Sequence, residues 1–101
     1  MREEKIYCVY ILTSGKNATL YIGITSDLQA RVSQHKEGKR KGFTQKYKVN
    51  QLVYYEEFGN VDEAIQREKQ LKVWKREWKI NLIEKDNPSW EDLYPKLFEN
   101  L

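Results

Sequence analysis

The sequence feature that most constrains the fold is an apolar run of seven residues near the start, from Ile6 to Leu12. A helix that crosses a membrane needs about 20 apolar residues, so this run is too short to span a bilayer. Glu3 and Glu4 precede it and no small-residue cleavage site follows, so we do not expect a signal peptide. The run is rich in Tyr, Val and Ile and apolar on both faces, which predicts a central strand over residues 5–13.

A second strand and a helix are predicted next along the chain. Turn-forming residues lead to residues 20–24, which read as a strand that pairs with the first in an antiparallel hairpin. A helix near residues 27–37 is expected to begin with a capping box formed by Ser26 and Gln29. Gly38 is a natural end for this helix, because glycine tolerates the backbone conformation found after a helix terminus.

The middle of the chain predicts a loop, a strand and a longer helix. The basic stretch 38–48 holds two glycines and is expected to be a loop. Residues 51–58 read as a third strand. Asn60 and Glu63 form a second capping box, which should open a helix that continues to about Val73.

These elements predict the fold class. A third helix is expected over residues 75–84, and Ser89 is expected to cap a short terminal helix. The order β-β-α-β-α-α predicts an α/β fold of the α+β type, in which helices flank a small three-stranded antiparallel sheet. A chain of 101 residues is the size of one domain. We therefore expect a single domain over 1–101, with its core in 5–84 and a C-terminal packing segment in 85–101.

The chain contains one cysteine, Cys8, so it cannot form an internal disulfide. Proteins that keep their thiols reduced are typical of the cytoplasm. We therefore predict a cytoplasmic location and no association with membranes.

Basic residues cluster in two stretches although the net charge is only +3. Patches of this kind can neutralise the phosphates of a nucleic acid, and they can equally be a solubilising surface. One stretch follows the first predicted helix and the other covers the second half of the next predicted helix and the segment after it. The basic residues of the two stretches are Lys36, Lys39, Arg40, Lys41, Lys46 and Lys48, and Arg67, Lys69, Lys72, Lys75, Arg76 and Lys79.

The first helix carries polar residues on the face that should pack against the sheet. Leu28, Arg31, Val32 and His35 recur at helical spacing and therefore share one face. We expect Leu28 and Val32 to pack on the sheet, with Arg31 and His35 at the margin of the core. One interpretation is an arginine that extends to solvent and a hydrogen-bonded histidine; the other is that both belong to a functional site.

The next helix places a carboxylate where its period predicts a core residue. Glu68 lies on the same stripe as Ala64, Ile65 and Leu71. A buried carboxylate is costly unless it is paired or binds a metal. The two alternatives are an ion pair with Lys72 and a ligand for a divalent cation, since carboxylate oxygens suit Mg²⁺.

Two strand motifs give these polar residues a context. Tyr10 lies on the first strand and Tyr21 on the second, and both are also common strand residues. Gly23 follows Tyr21 within the strand, where glycine permits a bulge or the close approach of another backbone or of a ligand.

Together these residues resemble the GIY-YIG nuclease superfamily. Its paired signature is matched by Cys8-Val9-Tyr10 and Tyr21-Ile22-Gly23. The ten-residue step from Tyr21 to Arg31 matches the catalytic arginine, His35 matches a position held by His or Tyr, and Glu68 matches the metal-binding glutamate. The resemblance spans about residues 5–84 and is greatest to small stand-alone bacterial proteins. Cys8 departs from the pattern, because it stands where the first motif has a glycine.

The resemblance implies cleavage of phosphodiester bonds with a divalent metal, Mg²⁺ or Mn²⁺. Glu68 would hold the metal, Arg31 would pair with the phosphate, and Tyr10 would hydrogen-bond within the site. The base that activates water is either Tyr21 or His35, whose residue types have reference pKa values of about 10 and about 6.5. DNA is the implied partner, held by basic residues. The expected nucleic-acid contacts are Lys36, Lys39, Arg40, Lys41, Lys46 and Lys72.

Three functions remain open from the sequence. The first is an endonuclease that acts on branched, damaged or single-stranded DNA, as in DNA repair, and all five expected side chains favour it. The second is a module that keeps the fold and binds nucleic acid without cleaving it, in order to deliver a protein partner. The third is an interaction protein with no role on nucleic acids. Trp74 and Trp78 either stack on bases or pack the third helix onto the core, and their spacing favours packing.

Overall fold

The computed structural model describes residues 5–39 and 42–99. Three antiparallel strands form one sheet, in which the first strand lies between the other two. The central position agrees with a strand that is apolar on both faces, and the predicted fold class is confirmed. In chain order the elements are β1 (Tyr7–Thr13), β2 (Leu20–Thr25), α1 (Leu28–Lys36), α2 (Phe43–Lys46), β3 (Gln51–Phe58), α3 (Val61–Val73), α4 (Arg76–Asp86) and a final 3-10 helix (Tyr94–Phe98).

Helices cover both faces of the sheet, because alternate residues of β1 point to opposite sides. Val9 and Ile11 belong to a core cluster that includes Ala64 and Leu71 of α3 and one residue of α4. Tyr10 and Leu12 belong to a second cluster with α1 and residues of the final 3-10 helix. The helices α1 and α3 therefore lie on opposite faces of the sheet.

The start of α1 differs from the predicted capping box. Asp27, not Ser26, is the N-cap residue, and its carboxylate accepts a hydrogen bond from the Ala30 amide at 3.1 Å. The Gln29 side chain instead donates to the Leu97 carbonyl at 2.8 Å. Serine and aspartate are both good N-cap residues, and the predicted cap was one residue too early in the chain.

The predicted end of α1 and start of α3 are confirmed. Gly38 has a φ of +71°, and its amide donates to the His35 carbonyl at 3.2 Å, as in a glycine-terminated helix. The Asn60 side chain accepts hydrogen bonds from two amides of the first turn of α3. None of the helices in residues 5–39 and 42–99 is long and apolar enough to cross a membrane.

Two predictions about the short elements are wrong. The stretch 38–48 contains the short helix α2, whose end is closed by a hydrogen bond from the Val49 amide to the Thr44 carbonyl at 2.9 Å. Ser89 does not cap the terminal helix, which follows Leu93 at its N-cap position. Both elements are short, so their position depends on tertiary contacts more than on local sequence.

The segment after α4 is fastened to the start of β3. Asn87 donates from its side chain to the Val53 carbonyl at 3.1 Å. The Asp92 carboxylate accepts from the Leu52 amide at 3.1 Å, and the Leu93 amide donates to the Leu52 carbonyl at 2.7 Å. The acidic C-terminal part of the chain thus packs along one edge of the sheet.

Candidate functional site

Three of the five predicted catalytic side chains form one cluster. The ring centroids of Tyr10 and Tyr21 are 6.3 Å apart, and the His35 ring lies 6.1 Å from Tyr10 and 5.5 Å from Tyr21. β1 and β2 supply the tyrosines, and the last turn of α1 supplies the histidine. His35 is only 4% exposed, so it lies in the core and not at the margin that the sequence predicted.

Hydrogen bonds fix the orientation of the His35 ring. Its Nε2 atom lies 3.4 Å from the Tyr10 hydroxyl, and its Nδ1 atom lies 3.0 Å from the Thr44 hydroxyl. One ring nitrogen accepts and the other donates in the neutral imidazole, and both hydroxyls can take either role. Thr44 was missed by the sequence reasoning, because no local pattern marks a residue on α2 that reaches α1.

Gly23 explains how the Tyr10 ring packs against the backbone of β2. The two residues are paired across the strands, and a Cβ atom at Gly23 would lie 2.5 Å from the Cζ atom of the Tyr10 ring. No real Cβ makes such a contact, so only glycine leaves room for the ring. The group that approaches this glycine is the tyrosine side chain of the other motif, not the backbone or ligand that the sequence predicted.

Arg31 lies where α1 and α3 approach one another. It is half-buried and lines a shallow hollow together with Ile24 at the end of β2 and with Val61 and Ile65 of α3. The hollow lies at the end of β2 and the start of β1, where these two helices from opposite faces of the sheet come together. The arginine therefore faces a surface that both helices border.

Glu68 lies on α3, further along that helix than Val61 and Ile65. Val61 lies beside the end of β2, and Arg76, just after α3, donates to the carbonyls of residues 17 and 18 that precede β2. The helix α3 thus runs from the end of β2 back toward its start. Glu68 is one turn beyond Ile65 on the same face of α3, so it lies further toward the start of β2 than that residue does.

The Glu68 carboxylate is 16% exposed and lies 3.5 Å from the Lys72 ammonium. The ion pair predicted as one alternative is therefore present, at a distance longer than that of a strong charge-assisted hydrogen bond. Within residues 5–39 and 42–99 there is no group of three or more His, Cys, Asp or Glu side chains that could hold a metal. A single carboxylate still suits Mg²⁺, which is often bound by one or two carboxylates, several waters and a substrate phosphate.

Cys8, which replaces the glycine of the first motif, is a packing residue. Burial, and to a lesser degree the neighbouring Glu57 carboxylate, raises the pKa of the Cys8 thiol to about 11. A thiol in this state is a weak nucleophile at neutral pH. The departure from the first motif therefore adds no reactive group beside the tyrosines.

Lys36, a predicted nucleic-acid contact, has partners within the protein. Its ammonium lies 2.5 Å from the Asp92 carboxylate and 5.2 Å from the centre of the Tyr94 ring. Both members of the ion pair are more than half covered. This arrangement favours a structural role, in which Lys36 ties α1 to the C-terminal segment.

The other predicted contacts near α2 are on the surface. Lys39 is exposed and pairs with Glu37 at 2.8 Å, and Lys46 lies 5.4 Å from the centre of the Tyr47 ring. An exposed pair of this kind is weak, so it leaves Lys39 available to a phosphate. Arg40 and Lys41 lie outside the described residues.

We expect Thr44→Val to lower the free energy of unfolding by about 1 kcal/mol, because it removes a hydrogen-bond partner of a buried imidazole. Thr44→Ser keeps the hydroxyl and should stay close to the wild type. Urea unfolding of the three proteins measures the difference. Equal stability of the valine and serine variants would show that the Thr44 hydroxyl does not support His35.

Several small bacterial proteins are similar to this chain. A UPF0213 protein of Staphylococcus haemolyticus is 37% identical over 76 residues, which are 75% of this chain and 92% of that protein. A UPF0213 protein of Bacillus velezensis is 35% identical over 94 residues, which are 93% of this chain and 94% of that protein. The solution NMR structure of a UPF0213 protein from Bacillus halodurans is 29% identical, with a TM-score of 0.54, and the match covers 86% of this chain and 92% of that one.

A family model also matches most of the chain. It is described as the GIY-YIG catalytic domain, and it aligns with residues 6–81. The matched range contains both strand motifs, Arg31, His35 and Glu68. The chain belongs to the GIY-YIG family, a nuclease-type family, as the resemblance at its strand motifs and at Arg31, His35 and Glu68 predicted.

Proposed function

We propose that this protein is a divalent-metal-dependent endonuclease that hydrolyses phosphodiester bonds in DNA. The observation that carries the proposal is the arrangement around β2. Tyr10, Tyr21 and His35 form one cluster there, Arg31 lines a hollow at the end of β2, and α3, which carries Glu68, lines the same hollow. Membership of a nuclease-type family supports the same reaction.

Arg31 is the residue that meets the substrate phosphate. Its guanidinium presents donors in a planar fork that matches phosphate oxygens. The arginine is half-buried at the margin of α1, so part of its hydration is already replaced by protein. A positive charge held in this way offsets the negative charge that builds on the phosphate during hydrolysis.

Tyr21 is better placed than His35 to act on the attacking water. Tyr21 is partly exposed, whereas His35 is 4% exposed and has a hydroxyl near each ring nitrogen. A base must lie within hydrogen-bond reach of the proton that it removes. We therefore assign the water-facing role to Tyr21, and we assign His35 the task of holding the Tyr10 hydroxyl and the Tyr21 ring in place.

Glu68 is the residue that would hold the metal ion. Its carboxylate is mostly covered, and its ion pair with Lys72 is long, so a cation has to displace only a loosely held partner. When bound, a divalent ion polarises the scissile phosphate and stabilises the leaving oxygen. Lys72 then becomes free to pair with a phosphate of the bound strand.

The basic residues around α2 and on α3 supply the grip on DNA. We expect the affinity for DNA to fall steeply with salt, because neutralising phosphates releases counterions. Replacing Lys39, Arg40 and Lys41 together by Ala should weaken binding to all sequences about equally and should flatten the salt dependence. Fluorescence anisotropy across a NaCl series measures both effects, with Lys85→Ala as a control in the acidic C-terminal part. An unchanged affinity in the triple variant would place the binding surface elsewhere.

The direct test of the proposal is cleavage by the wild-type protein. Supercoiled plasmid, a branched duplex and a single-stranded oligonucleotide are each incubated with Mg²⁺, with Mn²⁺ and with EDTA. We expect nicking that requires the metal. Absence of nicking on all three substrates, with intact folding, would contradict an endonuclease.

One observation favours a second function. The Glu68–Lys72 pair gives the carboxylate a structural partner, as expected of a DNA-binding module that does not cleave. In such a module, Glu68→Gln would leave DNA binding unchanged and would change stability by less than about 1 kcal/mol, because the ion pair is long and its lysine is exposed. Binding without metal-dependent nicking would identify this second function.

A further inference from the structure

The corner between α3 and α4 exposes an aromatic side chain. Trp78 is 47% exposed and Val73, at the end of α3, is 83% exposed. The other tryptophan of this corner, Trp74, is partly buried against the core and meets Trp78 edge to face at 6.1 Å. The guanidinium of Arg67, on α3, lies 5.0 Å from the centre of the Trp74 ring. The packing role that was favoured for both tryptophans therefore describes Trp74, whereas Trp78 contacts Trp74 and faces solvent.

The same corner is strongly basic. Residues 69–79 hold five basic side chains, and Glu77 is the only acidic one in that stretch. Across the described ranges, 5–39 and 42–99, no carboxylate forms an ion pair with Lys75, Arg76 or Lys79. Burial, and then the neighbouring Arg76 charge, lowers the pKa of the Lys79 ammonium. The Arg76 charge therefore disfavours the charged form of Lys79, and a bound anion would relieve that repulsion.

The corner is continuous with the candidate site. Lys72 pairs with Glu68, and its carbonyl accepts a hydrogen bond from the Lys79 ammonium at 3.5 Å. Lys75 lies 5.5 Å from the centre of the Trp78 ring. Lys72 therefore connects the carboxylate proposed to hold the metal with the basic corner that carries the exposed tryptophan.

We propose that this corner binds a single-stranded segment of DNA beside the cleavage site, with Trp78 stacked on an unpaired base. The inference rests on the proposed function and narrows its substrate to DNA that has unpaired bases next to the bond that is cut. Two features select this ligand. The cations that lack a carboxylate partner match a phosphate backbone, and an exposed indole matches the face of a base, which is available when the base is not stacked in a duplex.

The experiment measures DNA binding in EDTA, so that cleavage plays no part. Wild type, Trp78→Leu and Trp78→Phe are compared on a single-stranded oligonucleotide and on a blunt duplex of the same length. We expect Trp78→Leu to bind the single strand about ten-fold more weakly, because stacking on an aromatic ring is lost. Trp78→Phe keeps a ring and should recover most of the affinity, and binding to the duplex should change less than about two-fold in either variant.

A matched control is available in the final 3-10 helix. Phe98 is 38% exposed and lies outside this basic corner, so Phe98→Leu should bind the single strand as the wild type does. Thermal unfolding verifies that each variant is folded. Intrinsic tryptophan fluorescence gives a second readout. Trp78 is the most accessible of the three tryptophans, because Trp74 is partly buried and Trp90 is only 4% exposed. Quenching by the oligonucleotide should be strong in the wild type and weak in Trp78→Phe.

The outcomes separate this inference from the proposed function. Unchanged single-strand affinity in a folded Trp78→Leu protein would overturn the inference even if the wild type nicks DNA. An equal loss on the blunt duplex would also overturn it, because the corner would then be a general phosphate contact. A selective loss on the single strand supports the inference even if the wild type fails to cleave.

Discussion

Arg31→Ala and Glu68→Gln are each expected to lower metal-dependent nicking by about 10²–10³-fold, the effect of removing one strong transition-state contact. Arg31→Ala removes the positive charge proposed to meet the phosphate. Glu68→Gln replaces the carboxylate by a neutral amide, which is a poor ligand for a hard cation. Glu68→Gln should therefore also lose the response to added Mg²⁺. Initial nicking rates over a Mg²⁺ series measure both losses.

The matched control for this prediction is Glu63→Gln. Glu63 lies in the first turn of the same helix and is exposed, so its substitution makes the same change of charge away from the site. We expect nicking by Glu63→Gln to remain near the wild-type rate. Full activity in Glu68→Gln, or an equal loss in Glu63→Gln, would remove Glu68 from the site.

Gly23→Ala is expected to lower the free energy of unfolding by about 3 kcal/mol, the upper end of the usual cost of overpacking a core. The added Cβ would meet the Tyr10 ring, which is completely buried and has no room to move away. Gly59→Ala is the matched control, since nothing lies within 4 Å of a Cβ built there. Urea unfolding of both variants measures the difference.

A double variant tests the cause of this loss. Tyr10→Leu removes the ring atoms that the new Cβ would meet, so Gly23→Ala should cost much less in that background. The two substitutions should therefore not be additive, as is usual for residues in direct contact. Additive losses would show that Gly23 is needed for a reason other than the approach of the Tyr10 ring.

The strands were predictable because their signals are local. Residues 51–58 agree with β3 at both ends, and the central position of β1 followed from its apolar character on both faces. The cap of α3 at Asn60 was equally local, since its side chain bonds to amides two and three residues away. Such features depend on neighbours in sequence, so a single chain is enough to reveal them.

The candidate site was predictable only in part. The shared helix face placed Arg31 and His35 together, but the approach of His35 to the tyrosines was expected only from the family resemblance, since spacing alone does not set the distance between elements. Thr44 and α2 were missed because a four-residue helix has little intrinsic stability and is held by contacts distant in sequence. The ties made by Asn87 and Asp92 were missed for the same reason, as their partners lie 34 and 40 residues earlier.

The segment that follows α4 has a consequence for self-association. β3 is an outer strand, and an outer strand presents unpaired amides and carbonyls that can template pairing with another chain. Asn87, Asp92 and Leu93 occupy such groups on Leu52 and Val53. A version of the chain cut after α4 would leave these backbone groups of β3 unpaired and able to pair with a strand of another molecule. These few polar contacts therefore protect the protein against edge-to-edge aggregation.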